Sequence, residues 1–383
     1  LSTPLSSVVR YTPEGGPVLE FVRVEPAADG QEALPPQLSS RITIDTVHDG
    51  RCIPGWVLEA PAVQELERNG RLWEHYVLER DWGASLVACH LARALGLEGF
   101  QQVNLARVVM DFNRFPGSSP ARAHHLDRLA ITPPLSRVLS YEHKREVLER
   151  YYDRISSGME RAMEGKLLKI AVHTYDERNP SRTRRPEVSV LTRSHSYQVH
   201  SRLPFGVFDP LFPDELVASS ADAILRDRIT LTVEKLGTTV EQNYPYSFPD
   251  GSIEIRAQVW LFFQYARRLF LERYPEREGR PHYQRVWEML LNTSHRRAES
   301  EVLFGYLHRF RRPSHGAGAE MAASRRAYEA IRDFMHSEDL AQRYLTAPER
   351  VNILGIEVRK DLVWCFEDGE PVGPDEDSAK QIA

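Results

Sequence analysis

Short apolar runs rich in Val, Ile and Leu recur along the whole chain, and they restrict its fold more than any other feature. They occupy positions 18–24, 41–47, 103–112, 167–174, 187–192, 238–242 and 351–358. Runs this brief, apolar on both faces, suit strands buried inside a parallel-type sheet. Between them lie segments with helical spacing, most clearly 72–95 and 141–163. The second alternates charged and apolar positions as an amphipathic helix does. Strands alternating with long helices give an α/β fold, with a mixed, mostly parallel central sheet flanked by helices. A chain of 383 residues suffices for one such domain with insertions.

One stretch departs from the alternation. From about 255 to 347 the chain reads as successive helices, 255–273, 282–291, 298–309 and 320–336, with Pro and Gly at the joints. This helical insertion is either a layer packed on the sheet or a cap over an active site. The expected organisation is a single domain over 1–365, followed by an acidic, Pro- and Gly-containing tail over 366–383 read as a mobile terminus.

Composition narrows the function classes. With 49 basic and 54 acidic side chains the net charge is −5, which gives no electrostatic case for a nucleic-acid or membrane-surface protein. No apolar run approaches the ~20 residues that span a bilayer. Three scattered cysteines, Cys52, Cys89 and Cys365, form neither a disulfide framework nor a Cys-rich zinc module. They suit free thiols in a reducing compartment, and the N-terminal stretch lacks the form of a signal peptide. The expected location is cytoplasmic. No Gly-rich phosphate loop is present.

In open α/β sheets ligands bind beyond the carboxyl ends of the strands, so the polar residues that follow each run matter most. His48 follows the 41–47 run and opens His48-Asp49-Gly50; His173 ends the 167–174 run. Each alone reads as a hydrogen-bonded structural histidine. Two of them at the ends of separate strands can converge on one metal, for which a hydrolytic zinc wants three N or O ligands and an open position. Read as a strand, 103–112 puts Asp111 and Asn113 on one face. Arg114 then stands at the strand end, where it either makes a surface salt bridge or holds a substrate carboxylate with its fork. Glu357 and Arg359 share a face of the last strand and either pair with each other or supply a general base and an oxyanion stabiliser. Asn243-Tyr244-Pro245-Tyr246 follows a strand, as a structural turn or as pocket lining. His124-His125 and His315-Gly316 read as loop-borne polar residues.

Taken in order, these islands resemble the N-formylglutamate amidohydrolase family, which is distantly similar to the zinc carboxypeptidases. The carriers are His48-Asp49-Gly50-Arg51-Cys52-Ile53-Pro54, Asp81-Trp82, Asp111-Phe112-Asn113-Arg114, His173 with Arg185-Pro186 downstream, and Glu357 in the last strand. The family's Asp-x-His-Ser is Ala171-Val172-His173-Thr174 here, and the helical stretch is longer. The resemblance implies a phosphorylase/hydrolase-like fold of the zinc carboxypeptidase type, with Zn2+ held by His48, Asp81 and His173. The carboxylate ligand is Asp81, with Asp49 and Glu79 as alternatives, because the position three after the first His is Arg51. Glu357 and Arg359 would be catalytic. Asn113, Arg114 and Arg185 would bind substrate, with Arg178 a further candidate. The implied reaction is hydrolysis of an N-acyl, formyl-like amino acid carrying a free carboxylate. The alternative is a zinc peptidase or tailoring hydrolase acting on a larger peptide or amide.

Overall fold

The computed structural model describes residues 11–13, 17–25, 33–116, 130–195, 208–308 and 318–383. The pairs His124-His125 and His315-Gly316 lie outside them. Seven strands form the main sheet: β1 (Leu19–Arg23), β2 (Ile42–Thr46), β3 (Gly99–Val103), β4 (Leu168–Tyr175), β5 (Val188–Leu191), β6 (Val240–Gln242) and β7 (Asn352–Arg359), in the order β1-β3-β2-β4-β7-β5-β6. Within this sheet, β1 on β3 and β5 on β7 are antiparallel, and the remaining pairings are parallel. The sheet is therefore mixed and mostly parallel, as the alternation of runs predicts. The central strands β4 and β7 are buried almost end to end, which explains why their sequences show no polar face.

Helices cover the sheet. Helix α1 (Arg71–Glu79) leads into α2 (Ala84–Ala94). Further along come α3 (Asp153–Ala162) and α4 (Ala223–Lys235). Next come α5 (Ile253–Arg273), α6 (Pro281–Leu290), α7 (Ala298–His308), α8 (Gly318–Ser337) and α9 (Leu340–Leu345). Ala84, Val87, Ala88 and Ala92 of α2, with the partly buried apolar side of α4, pack on Ile44, Ile170, Val172, Leu354 and Val358. Phe262, Phe263 and Phe270 of α5, Trp287 of α6 and Phe334 of α8 form a separate core within the insertion, which reaches the sheet through Phe248 and Leu191. Among the described residues, no helix is long and apolar enough to cross a membrane.

Three expectations need correction. The 103–112 run is not a strand: β3 ends at Val103, and residues 107–109 form a turn. Val108, Val109 and Met110 are apolar because they are buried, not because they are extended, and periodicity alone does not separate the two. The 72–95 run is two helices. It breaks before Gly83, which has φ +84° and whose added Cβ would lie 2.6 Å from a Val363 methyl. The acidic tail is ordered: β8 (Trp364–Glu367) and β9 (Glu370–Pro374) form a hairpin, and α10 (Glu376–Ile382) packs Ala379 against the core. Asp368-Gly369, both at positive φ, is the Asp-Gly signal of a two-residue hairpin turn.

A buried ionic cluster joins Asp45 near the carboxyl end of β2 to Lys169 near the amino end of β4. Lys169 Nζ sits 2.9 Å from Asp45 Oδ2 and 2.7 Å from Glu254 Oε1, the latter on the first turn of α5. Burial raises the Asp45 pKa; at Glu254 the same burial is outweighed by Lys169 and His173 together, which lower it. Removing one partner leaves the others charged and dry. Lys169→Met should therefore cost about 3–5 kcal/mol of stability, read as a lower midpoint in urea unfolding. An unchanged midpoint would refute the idea that this cluster anchors the insertion to the sheet.

Candidate metal and catalytic site

The turn after β2 carries the first ligand candidate. Gly50 is needed there because a Cβ would fall 2.4 Å from the Leu105 carbonyl oxygen. Asp49 accepts hydrogen bonds from Ser85 N at the start of α2 (2.9 Å) and from Arg80 Nε (2.8 Å). Both its oxygens are thus engaged in binding the turn to the α1–α2 junction. Asp81 N donates to the His48 carbonyl at 3.1 Å, so the helix break and the His48 turn lock each other. Thr174 donates its hydroxyl to the Trp82 carbonyl at 3.0 Å and pins the end of β4 to the same junction.

These contacts bring His48, Asp81 and His173 together, all buried, with one ligand atom of each within 4.8 Å of the others. His173 Nδ1 lies 2.8 Å from Asp81 Oδ2, and His48 Nδ1 lies 3.6 Å from the same oxygen. Asp81 is therefore the carboxylate that converges on the histidines, and Glu79 instead contacts His75 at 3.2 Å. The group fits a metal ion on one specific observation: His48 Nδ1 is buried without any hydrogen-bond partner. Its other nitrogen, Nε2, lies 3.1 Å both from Asp111 Oδ1 and from the Phe112 N–H. It donates to the carboxylate or accepts from the amide; a cation at Nδ1 selects the first, the carboxylate–histidine support typical of metal sites.

The electrostatics agree. Burial disfavours charge on Asp81, yet Arg107, the hydrogen bond with His173 and the proximity of His48 hold its carboxyl well below the usual range. Burial likewise opposes a charged His173, but its bond to Asp81, with Glu357 and Glu254 nearby, raises it to about 9.

Glu357 of β7 pairs in register with His173 of β4. It is buried, and the Tyr246 hydroxyl donates to its Oε2 at 2.7 Å. Burial and the charge of Asp81 raise its pKa against the pull of His173, Tyr246 and Arg107. A poised carboxylate beside a ligand cluster is the arrangement that general-base catalysis requires.

The remaining candidates distribute around this centre. Arg114 Nε donates to Asp111 Oδ2 at 2.9 Å, while its side chain stays 37% exposed. Asn113 stands in the same tight turn, its N–H donating to Asp111 Oδ1 at 2.9 Å. Arg359 forks onto Asp361 at 3.1 and 2.8 Å and does not pair with Glu357. Arg178 is exposed and bonds the Arg182 carbonyl. Arg185 lies over the Tyr175 ring, 5.3 Å from its centroid. Two residues join the site that motif reading did not assign to it. Arg107 donates to Asp81 Oδ1 at 2.8 Å and lies 3.5 Å from Asp111 Oδ2. Tyr246, from the segment after β6, had only a general hint of pocket lining.

No family model matches the chain, and no curated protein does. Among solved structures, the chain is similar to N-formylglutamate amidohydrolase from Ralstonia eutropha, at 14% identity and TM-score 0.46, covering 94% of each chain. It is also similar to a gene product of Agrobacterium tumefaciens, at 14% identity and TM-score 0.42, covering 96% of this chain and 90% of that one.

Proposed function

We propose that this chain is a zinc-dependent amidohydrolase of the N-formylglutamate amidohydrolase type, cleaving an N-acyl amino acid that carries a free carboxylate. One observation carries the reading: a buried His-Asp-His group next to a buried carboxylate whose pKa is raised and whose orientation a tyrosine hydroxyl holds. His48 Nδ1, His173 Nδ1 and Asp81 would hold the ion. Zinc bound there supplies Lewis acidity, acidifying water and polarising a carbonyl.

The chain's own residues do the rest. Glu357 takes a proton as the water oxygen attacks the amide carbon. As the carbon–nitrogen bond breaks, Glu357 returns that proton to the leaving nitrogen, giving a carboxylic acid and a free amine. Tyr246 keeps one Glu357 oxygen occupied, so the other faces the water. Arg107, a quarter exposed beside Asp81, offers a cation for the developing oxyanion. Arg359, already forked onto Asp361, would serve that role only through its remaining nitrogen. The cysteines, none of them in a disulfide among the described residues, suit a reducing, cytoplasmic setting.

The direct test is the metal content of purified protein together with a hydrolysis screen of N-formyl and other N-acyl amino acids. About one zinc per chain, the stoichiometry of a single three-ligand site, with release of free amine is the expected result. Bound zinc without turnover on any member would sink the reading. Arg114, with Asn113 in its turn, would grip the substrate carboxylate, and charge-assisted hydrogen bonds contribute about 1.5–3 kcal/mol each. Arg114→Ala should therefore lower kcat/KM at least about tenfold for a free-acid substrate and much less for its amidated form. Arg114→Lys should recover only part, since a point charge lacks the fork. Equal losses on acid and amide would make Arg114 structural.

A further inference from the structure

A second concavity flanks the site. A cavity of about 700 Å3 opens beyond the end of β7, between the segment before β5 and the turn before β6, with Arg185, Arg359, Thr238, Thr239 and Tyr244 among its walls. Residue alternation joins it to the catalytic centre. Glu357 and Arg359 are two apart on β7, and His173 and Tyr175 are two apart on β4, so each pair shares a face. Tyr246 reaches Glu357, whereas Tyr244, two residues before it, lines the cavity.

The cavity's charge is specific. Arg359 is forked onto Asp361, Arg184 is paired with Glu177, Glu187 accepts from the N–H and hydroxyl of Thr239, and Glu234 and Glu241 stand exposed on the wall. Arg185 has no carboxylate partner among the described residues. One nitrogen donates to the Asp176 carbonyl at 3.3 Å, and its buried Nε has no partner. The arginine is held ready by its hairpin: Arg185 N donates to the Glu177 carbonyl at 2.8 Å. The Asn179 side chain closes the turn by accepting from Thr183 N and Ser181 Oγ, each at 2.8 Å. The Tyr175 hydroxyl secures Pro186 at 2.9 Å.

The order of strands gives this cation a direction. Arg114 bonds Asp111, which lies against His48 at the end of β2, whereas Arg185 precedes β5; in the sheet β4 and β7 stand between β2 and β5. If Arg114 takes the carboxylate of the amine half, the acyl half runs toward Arg185. At about 3.3 Å per residue, the Arg359 Cα lies roughly 7 Å past that of Glu357, a distance that a formyl group does not cover.

We propose that this cavity is an acyl-side subsite that takes a carboxylate on an arm of several carbons, so that the substrate is an amino acid acylated by a dicarboxylic acid. This rests on the hydrolase reading above and deepens it.

The test compares N-succinyl, N-succinamoyl (the neutral isostere) and N-formyl derivatives of one amino acid. The full-length protein should favour succinyl over succinamoyl by tenfold or more in kcat/KM. Arg185→Gln should collapse that ratio toward one, and Arg185→Lys should retain part of it. A native preference for formyl, or a ratio that survives Arg185→Gln, overturns the proposal. Succinate itself, titrated calorimetrically into the full-length chain, separates the two readings. Binding at least tenfold weaker in Arg185→Gln supports the subsite even if no amide is cleaved, in which case only the hydrolase reading fails. Succinate affinity indifferent to Arg185→Gln overturns the subsite whatever the enzyme hydrolyses.

Discussion

Replacing His173 with alanine should leave the purified protein without its metal, and His48→Ala should do the same. The three candidate ligand atoms lie within 4.8 Å of one another, and each histidine is held by its surroundings, His173 by Asp81 and His48 by Asp111. Two remaining ligands hold zinc poorly, because four-coordinate sites of this kind use three protein donors and an open position. Elemental analysis should fall from about one zinc per chain to a trace. The thermal transition should also stop responding to added zinc, whereas an ion at 1,000 times its Kd should stabilise the native protein by about 4 kcal/mol. Full retention of zinc in both variants would overturn the assignment. The protonation of His173 adds a signature. Its pKa is raised to about 9 in the ion-free protein, so at neutral pH the ion must displace a proton. Zinc affinity should rise by about tenfold per pH unit, up to about pH 9, and then flatten. The sign for stability is the opposite: a raised pKa stabilises the ion-free fold fully below about 6.5, the unfolded value. That contribution is lost as the pH rises through about 9.

Glu357→Gln should keep the metal and lose the reaction. The amide preserves shape and can still meet Tyr246, but it cannot accept a proton. Turnover should fall by roughly 10²–10⁴-fold, the usual worth of general acid–base catalysis. Burial raises the carboxyl, with Asp81 adding to it, and the base must be ionised to act. The acidic limb of kcat/KM should therefore lie above the ordinary carboxylate range and disappear in whatever activity the variant retains. Near-normal turnover would move the role to another carboxylate. Loss of zinc would instead make Glu357 a ligand.

The strand-end histidines and Glu357 were legible in the sequence because their position is a local property. An apolar run long enough for a strand, followed by a polar residue, marks the rim of an α/β sheet wherever the strand finally pairs. The insertion was legible for a similar reason: four of its helices carry their own apolar spacing and Pro or Gly joints, and they appear within a few residues of expectation. Asp81 was accessible only through the motif resemblance, since periodicity placed it inside a continuous helix. The break there depends on Gly83 facing Val363 and on the Asp81 amide meeting the His48 carbonyl, contacts between segments far apart in the chain.

The sequence alone determined the fold class, the order of most elements and three of the residues that the structure brings together at the strand ends, because hydrophobic periodicity and chain punctuation act over a few residues. Tertiary structure decided which charged side chains meet. Arg107 lay hidden in a run whose burial imitates a strand, and Tyr246 reaches Glu357 across 111 positions. Arg359 shares a strand face with Glu357 but turns to Asp361. The hairpin that carries the acidic tail starts at Trp364, which packs on Trp82 with ring centroids 5.3 Å apart. The reason is the same in each case: the partner of a buried charge or ring is set by three-dimensional packing, and residues distant in sequence carry no mark of their proximity.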